Sequence, residues 1–145
     1  MLNMKIKEVL DDCMLLDYDT HDARVYGFVH DAVAKTLAFT FENIEWVRRE
    51  MGMKFSGKPV RLRVEFEGVI NLSIVSQFTS ENTANFEHVE VEPLPLEKID
   101  EQILGMRCTG NVVSLVTDEH DYKTRQHGGT LIKFVATNVS ITEIK

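Results

Sequence analysis

Two His-Asp steps, His21-Asp22 and His30-Asp31, bring together the residue types best suited to chemistry in the first part of the chain. Imidazole and carboxylate groups are zinc ligands, and they also serve as general acids and bases. Asp22 and His30 share strand parity, but eight residues of straight strand would separate them by roughly 26 Å. One metal ion therefore cannot bind both, and we expect each aspartate to accept hydrogen bonds from backbone amides in its own turn.

Similar residue types recur in the polar stretch 118–129, which contains Asp118, His120 and His127. The carboxylate order of a calcium-binding loop is absent from it. We predict a solvated hairpin loop, of the kind that a rigid sheet presents to a partner. The candidate functional or partner-binding residues of the whole chain are His21, Asp22, Trp46, Arg48, Asp118, His120 and His127.

Known catalytic motifs are missing from the sequence: Gly-x-Ser-x-Gly, the P-loop, GxGxxG and HExxH do not occur. Glu65 and Glu67 alternate with apolar residues beside Arg61 and Arg63, which predicts cross-strand charge pairing and not a catalytic carboxylate pair. We therefore predict a protein that is not an enzyme, with no catalytic residues, no cofactor and no assigned metal ligand.

Length and charge limit the classes of partner. A chain of 145 residues fits one domain, residues 1–145, and can bury roughly 68–70% of its unfolded surface. The net charge of -7 and the pI near 5.2 disfavour nucleic-acid binding, which needs clustered Lys and Arg. An acidic surface would instead steer a basic protein partner toward the chain.

The remaining whole-chain features favour a cytoplasmic location. The first residues lack the apolar run and small-residue cleavage site of a signal peptide, and no segment approaches the ~18 apolar residues of a membrane span. Cys13 and Cys108 lie in no CxxC spacing and beside apolar residues. We predict two reduced, buried thiols and no disulfide.

A long β-hairpin over residues 25–49 is the element that must position the first His-Asp steps. Leu37, Phe39 and Phe41 share one face of its second strand, and the parity of the apolar positions switches after Asn43. One extra residue in a strand produces such a switch, so we predict a β-bulge or sharp bend at Glu42-Asn43. The new parity places Trp46 with Ile44 in the core; the alternative is a Trp46–Arg48 interface.

The rest of the chain reads as further strands with one or two short helices. Strand patterns cover 60–66, 70–74, 86–92, 112–117 and 130–144; 52–59 is predicted as a turn, with Pro59 starting a strand or lying on a sheet edge. Short helical patterns occupy 2–10, where a strand is the alternative, and 96–103 after Pro95. We predict a mainly β, antiparallel sandwich or barrel-like sheet.

The last strand pair also invites comparison with the first. Val25, Val29 and Asp31 match Val112, Val116 and Asp118 at an offset of 87, and a second offset of 95 matches Asn43 to Asn138. A degenerate duplication of the hairpin would explain both offsets, and it predicts a matching bend at Asn138. The alternative is a chance likeness between two antiparallel hairpins rich in Val and Phe.

Three short stretches carry a resemblance: His21-Asp22-Ala23-x-Val25, Lys35-x-Leu37-x-Phe39-x-Phe41 and Val64-x-Phe66-x-Gly68-Val69. They resemble a group of small bacterial β-rich proteins of unknown function with an HD-[AS] start, some of them similar to immunity proteins of toxin systems. The resemblance covers about half of the chain, and Asp22 is the polar position that it carries over. It implies no enzymatic activity.

The functional hypothesis from the sequence is a non-catalytic binding protein, an immunity- or inhibitor-like partner of another protein. The alternative is a small-molecule or metal-binding β-barrel with a site at His21, His30 or the 118–127 stretch. Strand edges near Pro59 and the hairpin ends could pair with a second copy, so a homodimer is also expected. Nucleic acid and membrane are not expected partners.

Overall fold

The computed structural model describes residues 2–49, 52–80, 88–91, 95–121 and 126–144 and shows a mainly β protein, as predicted. Thirteen strands are assigned in the described residues, all paired antiparallel. They are β1 (Leu2–Lys5), β2 (Leu10–Asp11), β3 (Met14–Leu15), β4 (Tyr18–Asp19), β5 (Arg24–Asp31), β6 (Thr36–Arg49), β7 (Gly52–Glu67), β8 (Ile70–Ser80), β9 (His88–Val91), β10 (Glu101–Thr109), β11 (Val112–Asp121), β12 (Gln126–Val135) and β13 (Asn138–Ile144).

The strands follow one continuous path of neighbours, β1-β13-β7-β6-β5-β10-β11-β12-β8-β9, and the short β4 joins β2 and β3 to β6. β1 and β9 end this path, and no pairing links them in the described residues. The sheet is therefore not a closed barrel.

The sheet folds over so that its two halves pack face to face. Phe66 of β7 and Phe134 of β12 meet edge to face with ring centroids 5.0 Å apart, although four strands lie between β7 and β12 in the sheet. Phe39 of β6 stacks on Phe66 at 5.7 Å and on Phe28 of β5 at 4.7 Å. The apolar faces of both halves thus enclose one core, as in a sandwich.

Two corners carry the chain from one half to the other. Gly68 and Val69 link β7 to β8, and Ala136 and Thr137 link β12 to β13. The corners touch, because the Thr137 amide donates to the Glu67 carbonyl at 2.9 Å. Gly68 has φ +68°, and a Cβ there would lie 2.6 Å from Thr137 Oγ1. Both the backbone angle and the close approach require glycine.

The predicted hairpin and its bulge are confirmed. β5 and β6 pair from Arg24↔Glu42 to Asp31↔Thr36, and the register of β6 on β7 shifts between Phe41 and Ile44. Asn43 has φ +66° at this shift. Asn adopts the left-handed region more readily than most residues, so it fits the extra position.

The predicted duplication is not reproduced. β6 continues past Asn43 and stays paired with β7, whereas β12 ends at Val135 and β13 starts at Asn138 in the other half of the fold. Asn138 also lacks a positive φ. The parity change at 136–138 marks a corner between halves: a bend lies beside Asn138, at Thr137, but it is not a copy of the Asn43 bulge.

Several local predictions need correction. The N-terminal segment is strand β1 followed by a helix, α1 (Ile6–Val9), of four residues. The second helix reduces to a 3₁₀ turn, Leu96–Lys98, and Ile103 lies in β10, a strand that the pattern did not predict. Residues 52–59 belong to β7 and do not form the predicted turn. The edge position predicted for Pro59 is confirmed among the described strands, because β13 pairs with β7 only from Arg61 onward and leaves this part of β7 with β6 as its one neighbour.

The predicted loop 118–129 is also largely strand. Pairing of β11 with β12 extends outward to Asp121↔Gln126. The predicted strand 86–92 appears as β9, with residues 86, 87 and 92 outside the described part.

The remaining whole-chain predictions concern the cysteines and the membrane. Both cysteines are free thiols; Cys13 is buried as predicted, but Cys108 is half-buried. Neither helical segment assigned in the described residues has the length and apolar character to cross a bilayer.

Candidate functional site

A groove of about 260 Å³ brings together three of the residues singled out from the sequence, His21, Asp22 and Trp46. It lies beside the bulge of β6 and the turn that follows β4. We refer to it as the Trp46 groove. Its lining residues are Asp19, His21, Asp22, Asn43, Glu45 and Trp46.

The turn that carries His21 and Asp22 is fixed by hydrogen bonds at both ends. The buried Thr20 hydroxyl donates to the Cys13 carbonyl at 2.6 Å, and the Asp22 amide donates to the Ile103 carbonyl at 3.1 Å. Asp22 was predicted to cap this turn, but Asp19 does so: Asp19 Oδ1 accepts a hydrogen bond from the His21 amide at 2.9 Å. At the second His-Asp step the prediction is confirmed, because Asp31 Oδ1 accepts from the Val33 and Ala34 amides.

Trp46 enters the groove because the parity of the buried positions in β6 changes twice, from Phe41 to Ile44 and from Ile44 to Val47. The pairing of β6 with β7 shifts between Phe41 and Ile44 and again between Ile44 and Trp46. At the second shift the extra residues lie in β7, where Val60 to Phe55 spans five positions against two in β6. Beyond it Val47 is buried and Trp46 is 47% exposed. The parity argument that placed Trp46 with Ile44 in the core is therefore wrong. The exposed indole is available for the alternative, a contact with a partner.

The lining of the Trp46 groove is acidic. Asp19, Asp22 and Glu45 supply three carboxylates, while His21 is the one titratable base among the lining residues. His21 Nδ1 lies 3.1 Å from Asp22 Oδ2. An aromatic surface next to several carboxylates is the environment that a guanidinium or ammonium group prefers.

Next to the groove, Arg24 forms ion pairs at the junction where β5 pairs with β10. Its guanidinium donates to both carboxylate oxygens of Asp100 at 2.7 Å and to Glu42 Oε2 at 2.6 Å. It also lies 4.2 Å from the centroid of the Tyr26 ring. The hydrogen bonds from Arg24 lower the pKa of Asp100 below its ordinary value. These ion pairs link β5 and β10, the two strands that adjoin the turn of His21 and Asp22.

The other candidate residues lie elsewhere. His30 lines a separate hollow of about 220 Å³ with Lys35 and Val69, so the two His-Asp steps do not form one site. His120 and His127 pair across β11 and β12, and Asp118 pairs with Gln102 of β10. The side chains of His120, His127 and Arg48 lie outside the described part. Within the described residues, no group of three or more His, Cys, Asp and Glu side chains is arranged to hold a metal ion.

Sequence reasoning missed a buried polar cluster around Glu101, which is only 7% exposed. The Thr117 hydroxyl donates to Glu101 Oε2, and the Thr130 hydroxyl donates to Oε1 at 3.1 Å. The Thr130 amide in turn donates to Thr117 Oγ1 at 3.1 Å. The available signal was Thr117 at the inward parity of Val113 and Leu115, since a polar residue there needs a buried partner.

Comparison with protein-family models, curated proteins and solved structures gave no match for this chain.

Proposed function

We propose that this protein is a non-catalytic binding protein whose Trp46 groove receives a lysine or arginine side chain of a protein partner. The observation that carries the proposal is the lining of the groove, an exposed indole with three carboxylates. In this proposal the protein acts as an inhibitor- or immunity-like partner. The resemblance to a group of small bacterial β-rich proteins of unknown function, some of them similar to immunity proteins, suggested the same role.

The chemistry of the groove suits a cation better than an anion or an apolar group. Tryptophan is the best aromatic partner for a cation, worth about 0.5–1 kcal/mol at an exposed site and more once water is excluded. Asp19, Asp22 and Glu45 add charge-assisted hydrogen-bond acceptors around the same space. A single basic side chain would therefore meet both kinds of contact in one place.

Two wider properties favour the same partner. The net charge of -7 raises the rate at which a basic protein encounters this one. The turn of His21 and Asp22 is pinned by Cys13 and Ile103 through backbone and hydroxyl hydrogen bonds. Because this wall of the groove is already ordered, less conformational entropy is lost on binding.

The proposal places the protein in the cytoplasm. Both cysteines are free thiols, as is usual in a reducing compartment.

The chain contains a single tryptophan, so the groove has an intrinsic fluorescent probe. We expect a capped tri-arginine peptide to change Trp46 emission saturably, while capped triglycine and tri-glutamate peptides do not. The Glu45→Gln and Asp22→Asn variants should weaken the change. The matched control Glu97→Gln removes an exposed carboxylate outside the groove and should leave it intact.

An equal response to all three peptides, or a response that survives Glu45→Gln combined with Asp22→Asn, would reject the groove as a cation site. Heteronuclear NMR of the same titrations locates the shifts. Shifts confined to residues remote from Trp46 would also reject it.

A further inference from the structure

The outer face of the second half of the sheet carries a continuous row of apolar side chains that no described element covers. The row crosses β10, β11, β12 and β8, with Gly105↔Val116, Val116↔Leu131 and Leu131↔Val75 as register pairs and Leu104 in the bulge of β10. Leu104, Val116 and Leu131 are 39–48% exposed. We call this row, Leu104, Val116, Leu131 and Val75, the apolar row.

Charged residues of opposite sign flank the apolar row. A second row lies two residues away from the apolar row, on the side of Ser114. In this row Arg107 pairs with Ser114, and Ser114 pairs with Lys133. Two positions in the other direction, on β11, lies Asp118. Strand spacing places the cationic and anionic flanks about 13 Å apart, with the apolar row midway between them.

We propose that this face is a homodimer interface, in which the apolar rows of two copies pack against each other about a two-fold axis parallel to the row. Such an axis lies between the two sheets and exchanges the flanks. Asp118 of each copy then faces Ser114 of the other copy, between Arg107 and Lys133. Val116 faces its own counterpart. Both ion-pair sets form at once because the interface is isologous.

Charge favours a second copy over a basic or acidic partner at this surface. The net charge of the whole chain is -7, so two copies repel each other in most orientations, and only a face whose own charges match can bring them together. Among the described side chains at this face, Arg107 and Lys133 stand against Asp118 and against Asp12, whose carboxylate lies 3.8 Å from Arg107, which gives a local net charge of zero. The pattern is complementary to itself, whereas the Trp46 groove is complementary to a cation. The dimer therefore does not depend on the proposed function.

The exposed area also predicts how tight the dimer is. The face spans four strands about 4.8 Å apart and a few residues along each strand. The area that it can bury is therefore at the small end of the range for specific interfaces. A weak, concentration-dependent dimer is expected, with half-dissociation in the range of about 1–100 μM.

Sedimentation velocity over a wide range of protein concentration tests the proposal with the wild-type chain. Val116→Glu places two carboxylates opposite each other and should raise the dimer dissociation constant at least about tenfold. Val29→Glu is the matched control, since Val29 is 59% exposed on β5, outside this face. It should leave the dimer unchanged. A thermal melt of each variant excludes misfolding.

A charge-exchange experiment then tests the arrangement itself. Asp118→Lys puts three cations together in its own dimer, and Arg107→Glu combined with Lys133→Glu puts three carboxylates together. Each variant alone should be mainly monomeric. An equimolar mixture should form a heterodimer, because the lysine introduced into the first variant meets both introduced glutamates of the second, while the native set forms on the other side.

A wild-type chain that stays monomeric throughout the concentration range would overturn the proposal and leave the face to a different partner. A dimer that resists Val116→Glu, or variants whose mixture remains monomeric while the wild-type chain dimerises, would place the interface elsewhere.

Discussion

Phe66 and Phe134 meet with ring centroids 5.0 Å apart, although their strands are separated by four others in the same sheet. The contact exists only because the sheet folds over on itself. Both side chains are almost fully buried, and Phe39 extends the cluster on the β6 side. Closure of the sandwich thus depends on aromatic packing between residues 68 positions apart in sequence.

Phe66→Ala should lower the free energy of unfolding by about 3–5 kcal/mol, because it removes a buried ring and leaves a cavity between the halves. Chemical denaturation measures the change. Val33→Ala, at a position 95% exposed, should change stability by less than about 0.5 kcal/mol. A loss at Phe66 no larger than at Val33 would contradict a face-to-face core.

Asn43→Val should destabilise the chain by roughly 1–2 kcal/mol, since a β-branched residue is strained at φ +66°. Asn43→Gly adopts this angle freely and should be tolerated. Because the bulge also directs Trp46, Asn43→Val should change the emission of Trp46 in the folded state, while Asn43→Gly changes it little. Equal stability of both variants would show that the bulge does not set this segment.

Asp100→Asn should reduce stability near neutral pH by at most about 1 kcal/mol, because the pair with Arg24 is half-exposed. Arg24 lowers the pKa of Asp100 below its ordinary value of 3.8. The stabilisation by Asp100 is therefore complete above pH 3.8 and is lost as the pH falls through the lower pKa of the folded state. Denaturation of both proteins from about pH 7 to about pH 2 should show the difference shrinking at the acid end; a difference that grows on acidification would contradict the sign.

Glu101→Ala should cost roughly 1–3 kcal/mol, because the hydroxyls of Thr117 and Thr130 lose their buried acceptor. Thr130→Val should cost less, and the two changes together should be non-additive, since both break the same hydrogen bond. Thr142→Ala, an exposed threonine on β13, serves as the control. Additive losses in this double-mutant cycle would argue against the cluster.

Alternating patterns identified the β class, the hairpin of β5 and β6, and the bulge at Asn43. They failed at Trp46, because the buried parity of β6 changes back between Ile44 and Val47, beside an irregular stretch of its pairing with β7. Period-two reasoning assumes an unbroken strand, and bulges are invisible to it unless both sides of the break are long. The strand β10 was missed for a related reason, since its bulge at Leu104 interrupts the alternation.

The candidate site followed the same division. The sequence supplied His21, Asp22 and Trp46 as separate candidates, and the calculation with straight strands correctly kept His30 apart from them. The part of Asp19 could not be inferred, because its place beside the indole depends on the pairing of β4 with β6 through Tyr18↔Val47. Glu45 adjoins Trp46 in sequence, but regular alternation would place the two side chains on opposite faces of β6.

The sequence by itself determined what each segment can do locally, since alternation, turn residues and the tolerance of asparagine for a positive φ act within a few residues. It therefore specified a β protein with an acidic surface and marked His21-Asp22 as a turn. Only the tertiary structure decided that 136–138 is a corner, that Glu101 is buried among threonines, and that three carboxylates surround Trp46. Those outcomes depend on contacts between residues far apart in the chain, and a periodic pattern within one segment cannot identify the residues that its side chains will meet.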